Sequence, residues 1–195
     1  MFRSLVLFCL VPLILTADTD DIVQDGFCQG AGKNFEIFGL QLFRELSKTT
    51  KENIFISPAS ISMALSMATL GASQRTLSQL LQVLNVTSID DINCRSASIL
   101  STTARMADDK IIQIHLANRI YIEEQFHLRE EFIERLEQIY LTTIKSVRFS
   151  SKTQTINEVN HWIEEQTNKL IKNMLNERTI DPDTVMLIIN CIYFK

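Results

Sequence analysis

Apolar residues in the first half of the chain recur at helical spacing. The first stripe predicts a helix with one buried face and consists of Phe35, Phe38, Leu42 and Leu46. Ser57 and Pro58 predict the start of a second helix, because a serine hydroxyl can cap a helix and proline has the φ of a first turn. Gly71 is expected to close that helix in a left-handed conformation. A third helix is predicted from Thr76 to Asn85.

The second half of the chain mixes strand patterns with helical ones. Residues 53–56 form a short strand-like run, and alternation over 111–122 and apolar residues over 142–149 predict two further strands. Helical spacing returns at 132–140 and in a long stripe that comprises Ile156, Val159, Ile163, Leu170 and Met174. Residues 185–194 are almost uninterruptedly apolar, which predicts a strand covered on both faces. This order of elements indicates the α+β class.

The beginning of the chain is typical of a secretory signal peptide. Arg3 precedes an apolar run over 5–15, which Pro12 interrupts and which is shorter than the roughly 20 residues a membrane span needs. We therefore expect a signal peptide at 1–17, an N-terminal tail at 18–33, one domain at 34–195, and a secreted protein. No other stretch is apolar and long enough to predict a membrane partner.

Charge and candidate chemistry exclude several function classes. The net charge of −4 gives no basic surface for nucleic acid. The three histidines are His115, His127 and His161, and no serine nucleophile motif or metal-ligand spacing accompanies them. The sequence therefore predicts neither an enzyme nor a metal or other cofactor.

Two segments carry a resemblance to the serpin family of serine protease inhibitors. Asn-Ile-Phe-Ile-Ser-Pro-Ala-Ser-Ile-Ser at 53–62 is similar to the passage from a strand of sheet B into the buried helix B. Residues 184–195, with Asn190 and the ending Ile-Tyr-Phe-Lys, are similar to the third strand of the central sheet A. Residues 117–121 resemble the second strand of that sheet, and 156–175 resemble the helix that lies across it.

This resemblance covers 34–195 and implies the serpin fold, in its N-terminal portion: helices A to F with part of sheet A. The family traps serine proteases when a cleaved reactive loop inserts into sheet A, and that loop has no counterpart here. We therefore expect a fragment, a truncated gene model or a short splice form of a longer inhibitor, which is inactive without the loop and whose last strand has an open edge. A non-inhibitory carrier or binding protein is the alternative. One departure is Asn168, where the family usually has glycine.

Three residues match the serpin shutter, a polar network beneath the centre of sheet A. They are Ser57, Ser60 and Asn190, and the resemblance implies that they control opening of the sheet. The alternative interpretation makes Ser57 a simple helix cap and Asn190 a satisfied core residue.

Modification sites and cysteines complete the candidate residues. Asn85-Val86-Thr87 is the one N-glycosylation sequon. Cys9 would leave with the signal peptide, and Cys191 sits in an apolar strand, so a disulfide between Cys28 and Cys94 is the preferred pair. Both lie in polar, loop-like sequence, and the arrangement is similar to the antithrombin branch of the family. Two separate thiols are the alternative.

Heparin binding is not supported by the region that would match the basic helix of antithrombin-like members. Residues 90–110 offer Arg95, Arg105 and Lys110 amid four aspartates. Further cations form two pairs, expected to be solvated faces: Lys145 with Arg148, and Lys169 with Lys172. The predicted partner of the whole protein is a serine protease whose identity the sequence does not reveal.

Overall fold

The computed structural model describes residues 5–9, 34–107, 114–181 and 183–194. The chain divides into two compact units. The described part of the first, the helical unit, is 34–102. The second, the sheet unit, comprises 5–9 and the described residues from 103 onward. The predicted tail and Cys28 lie outside the described residues, as does most of the predicted signal peptide.

Four helices build the helical unit. They are α1 (Asn34–Thr49), α2 (Pro58–Leu70), α3 (Gln74–Leu84) and α4 (Ile89–Ala107), the last of which continues into the sheet unit. One buried cluster of this unit consists of Phe38, Leu84, Val86 and Ile92. The predicted stripe on α1 is confirmed, because Phe35 and Leu42 also pack against this cluster.

Helix α1 approaches the first turn of α2 at a glycine. A Cβ atom added to Gly39 would lie 2.8 Å from Cβ of Pro58, closer than two carbon atoms can pack. Glycine is therefore required at this contact, which fixes how the two helices cross.

The sheet unit contains four strands in the order β1-β4-β2-β3. Their bounds are β1 (Leu5–Cys9), β2 (Ile114–Glu123), β3 (Thr143–Val147) and β4 (Met186–Phe194). Strand β4 runs antiparallel to β2, whereas β1 is parallel to β4 and β3 is parallel to β2. Helices α5 (Glu130–Tyr140) and α6 (Lys152–Gln166) connect these strands.

A large core cluster of the sheet unit joins α6 to the sheet. It includes Tyr121, Val159, Trp162, Ile163 and Leu187. The residues of β4 from Leu187 to Cys191 are at most 1% exposed, so the prediction of a strand covered on both faces is confirmed. The α+β class is confirmed as well.

Several local expectations were wrong. Gly71 has a φ of −92° and closes α2 in a right-handed conformation, because its N–H still reaches the carbonyl of Ala68. Residues 53–57 form no strand. The edge of β4 expected to be open is paired with β1 in this chain; because β1 belongs to the predicted signal peptide, removal of that peptide would leave the edge unpaired.

The long apolar stripe after Ile156 also does not form a single helix. Helix α6 ends at Gln166, because Asn168 and Lys169 have φ values of 42° and 61° and turn the chain away. Leu170 is consequently 70% exposed and Met174 is also exposed.

Among the described residues, no helix combines the length and apolar character that crossing a bilayer requires.

Candidate functional site

A buried pair of amides joins the two central strands of the sheet. Asn190 in β4 lies directly opposite Asn118 in β2. Asn190 Nδ2 donates a hydrogen bond to Asn118 Oδ1, and the two side chains are 0% and 5% exposed. Each amide thus satisfies part of the hydrogen-bonding capacity of the other away from water.

This amide pair extends to the end of α5. Asn118 Nδ2 donates to the carbonyl oxygen of Tyr140 at 3.0 Å, and Thr142 Oγ1 donates to the same oxygen at 3.3 Å. Tyr140 is the last residue of α5, where Leu141 adopts a φ of 49° and ends the helix. The network therefore supplies donors to a carbonyl that the helix itself leaves without one.

Asn190 is predicted from the sequence as a site residue, whereas Asn118 is not. Asn118 lies near the buried residues Ala117 and Ile120 of the same strand, but the burial of its amide is a property of the fold that the local sequence does not show. Breaking such a buried hydrogen bond costs about 1–3 kcal/mol, so its members are coupled in stability.

Ser57 and Ser60 lie in the helical unit. Ser57 precedes α2, and its Oγ accepts a hydrogen bond from the backbone N–H of Ser60 at 3.3 Å. This is a helix cap, as predicted. Ser60 is buried. Asn190 belongs to the sheet unit, so a single shutter network of all three residues stays a prediction.

The opposite face of the sheet carries a cation between aromatic rings. The Arg119 guanidinium lies 4.7 Å from the ring centroid of Trp162 and 5.9 Å from that of Tyr121. Arg119 Nε also donates to Thr143 Oγ1 at 2.9 Å. One side chain of β2 therefore contacts both β3 and α6.

Burial changes the acidity of the neighbouring phenol. Desolvation raises the pKa of Tyr121 to about 12, against the opposing effect of Arg119. Within the described residues its hydroxyl has no hydrogen-bond partner.

Cys94 occupies different surroundings from those predicted, whereas Cys191 and the sequon lie where the sequence led us to expect. Cys94 lies inside α4 and is buried, so the expected loop-like environment was wrong. It is disulfide-bonded to a residue outside the described side chains, and its pairing with Cys28 stays a prediction. Cys191 is a buried, reduced thiol, as expected. Asn85 is exposed at the end of α3.

Most cations singled out in the sequence are engaged by carboxylates. Arg95 is 5% exposed and contacts Asp91 at 2.6 Å. Lys145 pairs with Glu158, Arg148 pairs with Glu124, and Lys172 lies 3.2 Å from Glu164. Among the described side chains, no group of three or more potential ligands could hold a metal ion.

Comparison with known proteins identifies the family. The sequence model described as Serpin (serine protease inhibitor) matches residues 33–195. The chain belongs to the serpin family, whose members are generally inhibitors of proteases and not enzymes. This agrees with the resemblance found in the sequence.

Relatives from several animals are similar to this chain in sequence. The chain is 38% identical over 162 residues to Ipis-1 of Ixodes persulcatus and 37% identical over 162 residues to Iris of Ixodes ricinus. It is 34% identical over 160 residues to the leukocyte elastase inhibitor of Sus scrofa. Each comparison covers 81% of this chain and 42% of the relative, so the chain spans less than half of their length.

Solved structures confirm the fold as an N-terminal serpin portion. The native stressed conformation of Arabidopsis AtSerpin1 matches with a TM-score of 0.75 at 29% identity, covering 86% of this chain and 44% of that one. Cleaved Serpin 42Da matches with a TM-score of 0.74 at 30% identity, covering 87% and 45%. Human thyroxine-binding globulin complexed with its hormone shares the fold at 24% identity, with a TM-score of 0.70 over 87% and 46%.

Proposed function

We propose that the protein to which this chain belongs is a secreted inhibitor that traps a serine protease by a conformational change. The observation that carries this proposal is the Asn118–Asn190 pair between the central strands. An apolar pair of similar size could be equally stable at such a site, since both amides would be removed together. A polar pair can instead exchange partners when strands separate, which suits a sheet that must open.

The family relationship supports the choice of target class. The family is described as serine protease inhibitors, and one relative at 34% identity is named for its inhibition of leukocyte elastase. By resemblance, the reactive loop that contacts the protease belongs to the later part of the serpin fold. The residues described here would supply the strands between which that loop inserts, without contributing a bond to the protease.

Secretion is part of the same proposal. The apolar run after Arg3 has the length of the apolar region of a signal peptide. The exposed sequon at Asn85 suits a protein that passes through the secretory pathway. The disulfide at Cys94 also favours an oxidising compartment.

The test is an intact mass followed by a complex assay. Protein is captured from its native source through an N-terminal peptide, deglycosylated and weighed against the 22.3 kDa of this chain. A heavier product is then mixed with trypsin-like, chymotrypsin-like and elastase-like proteases. We expect a covalent complex that survives denaturing electrophoresis with one of these classes. A heavier product that is merely cleaved by all three would overturn the inhibitory mechanism.

A carrier function is the second candidate, and one cavity favours it. The helical unit has an open cavity of about 680 Å³ at its surface, lined mainly by apolar groups that include Phe35, Leu40, Phe43 and Ile56. This volume is within the usual range for small-molecule sites. Binding of an apolar fluorescent probe by the longest natural form, abolished by Leu40→Arg and preserved by Val83→Arg on the exposed side of α3, would support it. A probe that binds all three proteins alike would count against a ligand in this cavity.

A further inference from the structure

The sequon forms a tight turn between α3 and α4. Asn85 has a φ of 54° and a ψ of 53°, and its backbone N–H donates to the carbonyl of Gln82 at 3.1 Å. The next N–H, from Val86, donates to the carbonyl of Leu81 at 3.0 Å. The first two residues of the sequon therefore belong to the closing motif of α3.

The middle residue of the sequon is part of the core. Val86 is 9% exposed and clusters with Phe38, Leu84 and Ile92. Drawing the sequon out of the turn therefore requires Val86 to leave this apolar cluster, which opposes extension of the segment.

A partly buried ion pair contacts the last residue of the sequon. Asp91 Oδ2 accepts hydrogen bonds from Thr87 N at 3.2 Å and from Thr87 Oγ1 at 3.4 Å. Arg95 binds both oxygens of Asp91, from Nε at 2.7 Å and from Nη2 at 2.6 Å. Arg95 Nη1 also donates to the carbonyl of Asn85 at 3.3 Å.

Arg95 is the buried partner of this ion pair, whereas Asp91 is 19% exposed and Thr87 is exposed. Arg95 is 5% exposed, and its guanidinium also lies 5.9 Å from the ring centroid of Phe35. Charge-assisted hydrogen bonds in such a setting are stronger than those between exposed groups. Asp91 therefore connects the backbone and the hydroxyl of Thr87 to an ion pair whose other partner is buried, so that releasing Thr87 has a cost in local stability.

We propose that Asp91 locks the sequon, so that Asn85 accepts a glycan only before the turn between α3 and α4 has folded. The transferase must contact the asparagine amide together with the hydroxyl two residues later. In the folded turn Thr87 is held by Asp91 and Val86 is buried. Glycan occupancy is thus set by competition between transfer and folding, an inference that rests on the proposed secretion.

The chemistry of transfer is that of an ordinary N-glycosylation. Asn85 Nδ2 forms a bond to the anomeric carbon of a lipid diphosphate oligosaccharide, while the bond from that carbon to the diphosphate oxygen breaks. The amide loses one proton to a base of the transferase, and the lipid diphosphate leaves with the electron pair. Asn85 remains exposed in the folded protein, so a glycan added earlier is accommodated.

The experiment uses the longest natural form, made without glycan and folded before it meets the transferase and its donor. Asp91→Asn removes the charge that holds Thr87 and Arg95. Asp90→Asn is the matched control, because Asp90 is the adjacent, exposed aspartate in the same first turn of α4. Modification is read as the mass lost on glycosidase treatment.

We expect the folded parent and Asp90→Asn to accept little glycan, and both to accept it fully after unfolding in urea. Asp91→Asn should be modified about five- to thirtyfold faster than the parent in the folded state. This factor corresponds to a loss of about 1–2 kcal/mol of local stability. Equal rates for the folded and unfolded parent, or for folded Asp91→Asn and the folded parent, would overturn the inference. If Asp91→Asn does not fold, its modification rate does not report on the lock. The comparison between the folded and the unfolded parent then decides.

A second arm separates this inference from the proposed secretion. The parent is synthesised with microsomes behind either its own first 17 residues or a signal peptide of another secreted protein. Entry with the foreign signal alone contradicts secretion and leaves the locking test intact. Entry with both signals, combined with equal modification of folded and unfolded parent, contradicts only the lock.

Discussion

Asn160 pairs with the backbone of Leu175 as a strand residue would. Leu175 N donates to Asn160 Oδ1 at 2.7 Å, and Asn160 Nδ2 donates to the carbonyl oxygen of Leu175 at 2.9 Å. Leu175 is buried in the cluster beneath α6. The segment after α6 is thus attached to the helix by one carboxamide that offers both a donor and an acceptor.

We expect Asn160→Ala to lower the free energy of unfolding by about 1–3 kcal/mol, because two backbone groups lose their partners. Urea unfolding of the longest natural form measures this. Asn157→Ala is the control, since Asn157 is exposed on the same helix. Equal midpoints for the two variants would show that the Asn160 contact contributes nothing.

The Asn118–Asn190 pair should be coupled in stability. Asn190→Ala leaves the buried amide of Asn118 without its donor and is expected to cost about 1–3 kcal/mol. The double variant should lose less than the sum of the single losses, by at least about 0.5 kcal/mol. Thermal unfolding of the four proteins tests this, and an unchanged melting temperature for Asn190→Ala would remove the basis of the shutter assignment.

Lys169→Gly should stabilise the protein. Lysine at a φ of 61° carries a left-handed penalty of about 1–2 kcal/mol, whereas glycine loses about 0.5–1 kcal/mol more backbone entropy on folding. The net gain expected is about 0.5–1 kcal/mol. Leu170→Gly is the matched control, because Leu170 is exposed, adjacent and does not have positive φ, so glycine there should destabilise. A loss of stability in both variants would contradict the expectation.

The free energy of unfolding should decrease as pH rises through the range in which Tyr121 titrates. Its folded pKa of about 12 exceeds the ordinary value of 10.0, so the unfolded chain releases its proton first as pH rises. The free energy of unfolding is therefore lost between pH 10 and 12, by up to about 1.4 kcal/mol per pH unit. Tyr121→Phe should remove this part of the pH dependence in urea titrations, whereas Tyr193→Phe should retain it. An identical slope in both variants would refute the assignment.

Cys28 and Cys94 are expected in one peptide pair after proteolysis without reductant. Cys94 is disulfide-bonded, and an oxidising compartment preserves such bonds. Mass spectrometry before and after reduction identifies the pair. Recovery of Cys94 with any other cysteine would exclude the predicted bond.

Local sequence signals predicted most helix starts. The ends of helices and the partners of buried polar side chains depend on tertiary structure and were not predicted. Ser57 and Pro58 act within one turn, so their pattern gave the start of α2 correctly. The apolar stripe continues through Leu170 although α6 ends at Gln166, because the turn at Asn168 and Lys169 interrupts the helix without interrupting the pattern.

Asn118 could not be assigned from the sequence for a similar reason. Its partner Asn190 lies 72 positions away, and their meeting depends on the antiparallel register of β2 and β4. The buried state of Cys94 likewise depends on α4 and on the residues that pack against it. Interactions between distant elements decide these features, and a local pattern does not encode them.

Trp162 gives the chain an optical reporter of its own. It is the single tryptophan of the sequence, it is 5% exposed, and it stacks near Arg119 where α6 meets the sheet. A shielded indole emits at shorter wavelength than one in water, and a guanidinium over its face alters that emission further. Any event that lifts α6 from the sheet should therefore shift the fluorescence to the red, so strand insertion and unfolding could be followed without an attached dye.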